Sequence, residues 1–139
     1  MRPHALAAFA ALALTAGCST NPMQPGLWEM RLTTRLDGLE QKVPVARECV
    51  TQKDIDDPLR TLPRPGGACK VTNVDRRFGG KATYDIECRQ DGRVMQGRAE
   101  IAFGAQAYEG RATLEVTEKG EKAPPLSIAV AARRVGACP

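Results

Sequence analysis

Histidine is almost missing from this 139-residue chain, and aromatic residues are few. The single histidine, His4, lies in an N-terminal segment that we expect to be removed. A mature chain without histidine excludes Ser-His-Asp and Cys-His catalysis and every metal site that needs imidazole. One tryptophan, two tyrosines and three phenylalanines offer little stacking surface, and no basic cluster accompanies them. Nucleic acid is therefore not an expected partner.

The N-terminal segment has the composition of a secretory leader. Arg2 gives it a positive charge, and every residue from Ala5 to Leu14 is apolar. A helix of that length spans about 15 Å, whereas the bilayer hydrocarbon is about 30 Å thick. We therefore predict that residues 1–17 are a cleaved signal peptide and not a membrane anchor. No later stretch of the sequence is long and apolar enough to span a membrane.

The leader ends on Leu14-Thr15-Ala16-Gly17-Cys18, which is typical of a lipobox. Exported proteins usually pair their cysteines, and lipid (diacylglycerol, palmitate) on Cys18 accounts for the odd one of five. We therefore predict an envelope lipoprotein that faces the periplasm. Ser19 in the second mature position predicts the outer membrane by the sorting rule of enteric bacteria. Leucine is commoner than Thr15 at its position, and simple secretion to the periplasm is the alternative.

The mature chain is predicted to be one domain on a short tether. Residues 18–25 are the lipidated cysteine and a polar, proline-containing tether, in which Ser19 to Pro25 span at most about 25 Å. Residues 26–139 alternate apolar and polar side chains, as half-buried strands do. The formal charge of the mature chain is +3, because Arg2 leaves with the leader, and it is well dispersed along the sequence.

Turn signals predict an antiparallel meander with a defined register. A turn at Asp91-Gly92 sets Ile86 opposite Gly97, and a turn at Ala105-Gln106 sets Gly97 opposite Leu114. Both registers agree on which residues face inward, and a slip by one residue would reverse every face. The sequence thus predicts an all-β fold, a single antiparallel meander of about seven strands that is strongly curved or a partly closed barrel.

Apolar rows define the first and last strands of this meander. Val43 and Val45 are assigned to the second strand. Gly97 and Gly110, at inward positions, predict places where the backbones of neighbouring strands approach closely. Trp28 is the expected core anchor of the first strand. The two rows are Trp28, Met30, Leu32, Thr34 and Leu36 in the first strand and Leu126, Ile128, Val130 and Ala132 in the last.

One insertion interrupts the strands. Thr51 followed by Asp54 has the form of a capping box and predicts one short helix near residues 51–57. Pro58 and the Pro/Gly-rich segment 62–67 predict an ordered loop beyond it. Loops carry binding sites more often than strands do. The alternative is a plain connection held by its two flanking cysteines.

The four remaining cysteines allow three pairings. A hairpin centred on Phe78-Gly79 sets Cys69 opposite Cys88, so we predict that these two form a disulfide. The second disulfide is then Cys49–Cys138. A tetrathiolate zinc site is the alternative, but the close Cys-x₂₋₄-Cys pairs typical of such sites are missing from the sequence.

Several short motifs support a resemblance to a known family. They are Pro25-Gly26-Leu27-Trp28-Glu29, Cys49-Val50-Thr51, Cys69-Lys70-Val71, Glu87-Cys88 and Arg134-Val135-Gly136-Ala137-Cys138-Pro139. Over residues 25 to 139 the chain resembles domain-of-unknown-function family 3617 (DUF3617), small exported proteins of Gram-negative bacteria. The resemblance implies an envelope location and a compact β domain, and it transfers no catalytic residues.

Three functions are compatible with these patterns. The first is a non-enzymatic module that binds an envelope protein partner or assembles a complex. The second is a carrier that holds a small apolar ligand within the curved sheet. The third is an enzyme, for which the best inner-face polar cluster is Asp75 near Asn73 and Tyr84, although a satisfied network at a sheet rim is the simpler interpretation. We expect no catalytic residue, no cofactor and no metal.

Overall fold

In the residues that the structure describes, one antiparallel sheet of eight strands and one short helix make up the fold. The computed structural model describes residues 21–64, 68–77 and 79–139, so the predicted leader, Cys18 and Phe78 lie outside the described residues. The all-β prediction is confirmed, and the sheet is curled without closing. The elements are β1 (Gly26–Leu36), β2 (Leu39–Lys42), β3 (Ala46–Val50), α1 (Gln52–Asp56), β4 (Cys69–Arg77), β5 (Lys81–Gln90), β6 (Arg93–Phe103), β7 (Ala107–Glu118) and β8 (Glu121–Gly136).

The strand order is β2-β1-β8-β7-β6-β5-β4, and β3 pairs with the part of β1 that lies beyond the end of β2. Strands that follow one another through β4 to β8 pair directly, as a meander does. β1 does not follow this order: it pairs with β8, the last strand, and this pairing brings the beginning of the domain beside its end. Residues that are distant in sequence therefore lie side by side on the same face of the β1–β8 pair.

The predicted second strand is divided in two. β2 ends at Lys42 and β3 starts at Ala46, so Val43 and Val45 lie in the connection and not on a strand. Pro44 stands between these valines and lacks the N–H group that a ladder of hydrogen bonds requires. This interruption gives eight strands where the alternation alone predicted about seven.

The predicted register of the central strands is confirmed. Ile86 pairs with Gly97, and Gly97 pairs with Leu114. The turn between β5 and β6 has positive φ at both Asp91 and Gly92, 50° and 76°, as the two-residue hairpin requires. The inward and outward faces of β5, β6 and β7 therefore follow from their turns.

Close backbone approach at the two inward glycines is also confirmed. A Cβ atom at Gly97 would lie 2.1 Å from the carbonyl oxygen of Thr113, and one at Gly110 would lie 3.0 Å from that of Glu100. Neither position has a positive φ angle that would favour glycine. Both are required by the narrow space between neighbouring strands.

We expect Gly97→Ala to lower the free energy of unfolding by about 1–3 kcal/mol, because the added methyl group must displace a backbone carbonyl. Gly136→Ala is the matched control, since a Cβ atom there meets nothing within 4 Å. Urea unfolding of the two variants measures the difference. Equal losses in both would contradict the close approach at Gly97.

The side of the sheet that carries the inward rows, here called the core face, is filled. Leu114 is 0% exposed and Trp28 is 2% exposed, which confirms Trp28 as a core residue. Ile55 of α1 and Leu62 of the following loop pack on the same cluster, so the insertion covers part of the core face. We call the opposite side, with its charged and threonine side chains, the polar face.

Helix α1 begins with the capping box that the sequence predicts. The Thr51 hydroxyl accepts a hydrogen bond from the Asp54 N–H, and the Asp54 carboxylate accepts one from the Thr51 N–H at 2.9 Å. The Thr51 hydroxyl also donates to the Asp54 carboxylate at 2.6 Å, and this bond, together with the one from the Thr51 N–H, holds the pKa of Asp54 below its usual value. Within the described ranges, no helix has the length and apolarity needed to cross a membrane.

Both predicted disulfides are present. Cys49 is bonded to Cys138 with their Cα atoms 5.4 Å apart, and Cys69 is bonded to Cys88 with their Cα atoms 4.0 Å apart. The second pair sits directly opposite in the β4–β5 ladder, as the register requires. Because the two bonds use all four sulfur atoms, the tetrathiolate zinc alternative is wrong.

The described part of the predicted tether, residues 21–25, packs on the domain. Met23 is buried in the core. The Gln24 N–H donates to the Ala105 carbonyl at 3.2 Å, and the Trp28 indole N–H donates to the Gln24 carbonyl at 3.0 Å. This segment is therefore attached to the sheet through its backbone and through a buried side chain.

Candidate functional site

The inner-face polar cluster expected around Asp75 does not form. The β4–β5 register shifts between Thr72 and Asp75, where Asn73 has a φ of 51°. The extra residue in this bulge reverses the faces of everything after it. Asp75 is consequently exposed and forms an ion pair with Arg77 at 3.4 Å. The predicted pairing of Asn73 with Tyr84 and the predicted inward position of Asp75 are therefore wrong.

The bulge also gives Asn73 a partner on the polar side. Its amide donates to the Asp85 carboxylate at 2.7 Å, and Arg98 donates to the same carboxylate at 2.9 Å. The bond from Asn73 and the ion pair with Arg98 lower the pKa of Asp85. A carboxylate that is stabilised in its ionised form by these two donors is a poor general base.

Arg76 occupies the inward position that the sequence assigned to Asp75. Its guanidinium lies 5.8 Å from the centre of the Phe103 ring and donates to the carbonyl oxygen of Pro58. Nearby, the Tyr84 hydroxyl donates to the Pro63 carbonyl at 2.8 Å, and burial raises the pKa of Tyr84. Both side chains hold the loop after α1 against the sheet, which is a structural role.

An arginine cluster on the polar face surrounds a single carboxylate. Oε1 of Glu29 accepts hydrogen bonds from Arg31 and Arg133 at 3.3 Å, and Oε2 accepts two from Arg47, at 3.1 and 3.3 Å. The Glu29 side chain is 7% exposed, whereas the three arginine side chains are 64–65% exposed. We use "arginine cluster" for Arg31, Arg47 and Arg133 around Glu29.

Strand pairing brings this cluster together. Glu29 of β1 lies directly opposite Arg47 of β3 on one side and opposite Arg133 of β8 on the other. Arg31 follows two residues later on the same face of β1. Sequence reasoning did not find the cluster, because Arg133 is 104 residues from Glu29 and the two meet only through the β1–β8 pair.

The arginine cluster keeps a positive charge after its internal ion pairs are counted. The hydrogen bond from Arg47, followed by those from Arg31 and Arg133, holds the pKa of Glu29 below its usual value, although partial burial opposes the shift. With Glu29 ionised, three cations share one anion and leave a net charge of +2. Hydrogen bonds to the Glu29 carboxylate hold the three guanidiniums in place, and the arginine side chains are exposed to solvent. The cluster can therefore bind a phosphate or carboxylate group.

An open cleft of about 1190 Å³ crosses the polar face beside this cluster. Small side chains such as Ala102 and Ala131 lie along it, and Val43 and Val45 of the β2–β3 connection also line it. Ile101 contributes to the lining but is 4% exposed, because its side chain points to the core. The cleft therefore opens on the polar face and not within the core.

The net charge of the mature chain is concentrated in this cleft. Five cations and two carboxylates line it, which gives +3. Since the mature chain as a whole also has a formal charge of +3, the remaining charges balance. Arg31 belongs to both the cleft and the arginine cluster. The charged lining residues are Arg31, Lys42, Arg77, Lys81, Arg111, Glu100 and Glu109.

Comparison with known proteins gives one family match. The family model described as protein of unknown function DUF3617 matches residues 23–138. No curated protein and no solved structure matches the chain. The matched range contains both disulfides, the arginine cluster and the cleft. Cys18, the predicted lipidation site, precedes it.

Proposed function

The chain belongs to the DUF3617 family, and we propose that it is an envelope lipoprotein that binds a partner protein without catalysing a reaction. In this proposal Cys18 carries the lipid and the domain faces the periplasm from the outer membrane. The observation that carries the partner-binding role is the open cleft on the polar face. The signal pattern before Cys18 supports the anchored location.

The lining of the cleft suits a protein surface with acidic side chains. Alanines along it allow close approach, and Val43 and Val45 offer exposed apolar contact. The excess of cations favours a partner of opposite charge and would disfavour basic ones. An open, partly polar site of this volume is closer to a protein contact surface than to an enclosed pocket for a small ligand.

The packing of the core face supports partner binding over the carrier alternative. A carrier would need space among the inward side chains, and those side chains instead contact one another in one buried cluster that includes Leu114, Tyr84 and Phe103. Tyr108 packs on this cluster with its ring 5.5 Å from that of Phe103. A ligand within the sheet would have to displace these rings.

Photo-cross-linking in intact cells tests the partner proposal. A photoreactive residue at Ala131, in the cleft, is expected to give a discrete adduct with another envelope protein, whereas one at Lys119, in the β7–β8 turn, is expected to give none. Adding the double change Arg31→Glu and Lys81→Glu should reduce the Ala131 adduct several-fold, because it reverses the charge of the lining. Recovery of monomer alone from Ala131, or equal adducts from both positions, would contradict the proposal.

A further inference from the structure

The N-terminal segment is attached at one end of the sheet. A Cβ atom at Gly80 would lie 3.0 Å from the Pro22 ring, so Pro22 packs on the β4–β5 turn. The Gln24 N–H donates to Ala105 in the β6–β7 turn. These two turns and residues 21–25 lie together, and we call this region the anchor end of the domain.

Asn21, the first described residue, stands three positions after Cys18 in the sequence. Three residues span at most about 11 Å, which is close to the Debye length of about 8–10 Å at physiological salt. If Cys18 carries lipid, as proposed above, the membrane surface lies within electrostatic reach of the anchor end. Charged groups at that end then interact with lipid headgroups.

The arginine cluster is at the anchor end. Arg133 pairs with Ala107, the first residue of β7 after the β6–β7 turn. The neighbouring Arg134 donates from its N–H to the Gln106 carbonyl at 2.8 Å and from Nε to the Pro25 carbonyl at 2.8 Å. The strand that carries the cluster is thus hydrogen-bonded to the segment that leads to Cys18.

We propose that the arginine cluster binds the phosphate groups of anionic phospholipids in the membrane that holds the lipid on Cys18. This inference rests on the lipid anchor of the proposed function. The cluster has three guanidiniums held by Glu29, a net charge of +2, and two-thirds of each arginine side chain exposed. Guanidinium forks match phosphate oxygens, and a cationic patch beside a lipid anchor strengthens membrane attachment.

This contact fixes which end of the domain faces the periplasm. The turns at Asp37-Gly38, Asp91-Gly92 and Lys119-Gly120 lie at the opposite end of the strands. β7 alone has 12 residues, about 40 Å, so these turns stand several Debye lengths from the headgroups. The cleft, which shares Arg31 with the cluster, then opens close to the membrane surface.

Vesicle binding tests the inference with the chain from Ser19 onward, which contains every described element and lacks the acylated cysteine. We expect it to sediment with vesicles of phosphatidylcholine and phosphatidylglycerol and not with phosphatidylcholine alone. The variant E29Q/R31Q/R47Q/R133Q removes a net charge of +2 and leaves no unpaired carboxylate. Its binding should be weaker by roughly 25-fold, from about fivefold for each unit of charge near an anionic surface.

The matched control is R93Q/E118Q/K119Q/K122Q at the opposite end. It also removes three cations and one carboxylate, including the Arg93–Glu118 ion pair, and it should bind within about twofold of the unaltered chain if only the anchor end meets the surface. Equal weakening in the two variants would overturn the proposal, since it would indicate attraction by total charge. Equal binding to neutral and anionic vesicles would overturn it as well.

Two further measurements separate folding and anchoring from headgroup binding. Arg47→Gln leaves Glu29 with two arginines and is expected to bind about fivefold more weakly while remaining folded at the temperature of the assay; unaltered binding would overturn the proposal. Labelling of the full chain with radioactive palmitate, and its loss in Cys18→Ser, tests the anchor itself. Failure of labelling would remove the proposed lipoprotein, whereas the vesicle result would still report on the cluster.

Discussion

Replacing both Cys49 and Cys138 with alanine is expected to lower the free energy of unfolding by about 4–5 kcal/mol. The disulfide closes a loop of 89 residues, and restricting the unfolded chain over such a length has a large entropic effect. In the folded state, β3 and β8 flank β1, and Leu27 pairs with Cys49 on one side and with Gly136 on the other. The bond therefore joins the two neighbours of one strand.

The second disulfide provides the comparison for this prediction. Cys69–Cys88 closes a loop of only 19 residues, so the corresponding double alanine variant is expected to lose about 3 kcal/mol. Urea unfolding at neutral pH measures both variants on one scale. A larger loss for Cys69–Cys88 would contradict the loop-length explanation and would indicate that packing around the buried Cys88 decides its contribution.

The register and the disulfides could be predicted because they depend on local signals. Asp91-Gly92 fixes one hairpin, and alternation then assigns a face to every residue of the strands on either side. Once Cys69 and Cys88 are opposite each other, the second pair follows. The assignment of Val43 and Val45 to one strand was wrong because it did not use an equally local signal: a proline within a predicted strand, here Pro44, indicates an interruption.

The bulge in β4 could not be placed from turn signals alone. It adds one residue inside a strand, at an asparagine that tolerates positive φ, and every later residue changes face. A trace of it exists in the sequence, because Val71 and Val74 are three residues apart and cannot share a face of a regular strand. Reading that spacing would have placed Arg76 inward and Asp75 outward.

The arginine cluster is a consequence of topology. No local pattern links Glu29 to Arg133, and each of the four residues alone is an ordinary charged residue on the polar face of a strand. They meet because β1 inserts between β3 and β8. A sequence can predict such a cluster only when it predicts the pairing of its first and last long strands, and adjacency along the chain gives no information about that pair.

Trp28→Ala is expected to lower the free energy of unfolding by about 3–5 kcal/mol, because it removes a large side chain from a filled core. The indole is 2% exposed, and its ring centre lies 5.6 Å from that of Tyr108. Leu36→Ala is the matched control: Leu36 is on the same apolar row of β1 but is 46% exposed, so the loss there should be within about 0.5 kcal/mol.

The indole N–H gives Trp28 a second role that the variants can separate. It donates to the Gln24 carbonyl and so connects the core to the segment that leads to Cys18. Trp28→Phe keeps an aromatic ring against Tyr108 but removes this donor, and it is expected to recover more than half of the stability lost in Trp28→Ala while hydrogen exchange at residues 21–25 becomes faster. An unchanged melting temperature in Trp28→Ala would instead place Trp28 outside the core, and unchanged exchange in Trp28→Phe would show that the remaining contacts of residues 21–25 hold the segment without the indole. The expected pair of results would establish that the anchor end is rigidly attached to the sheet, which is the condition for a fixed orientation at the membrane.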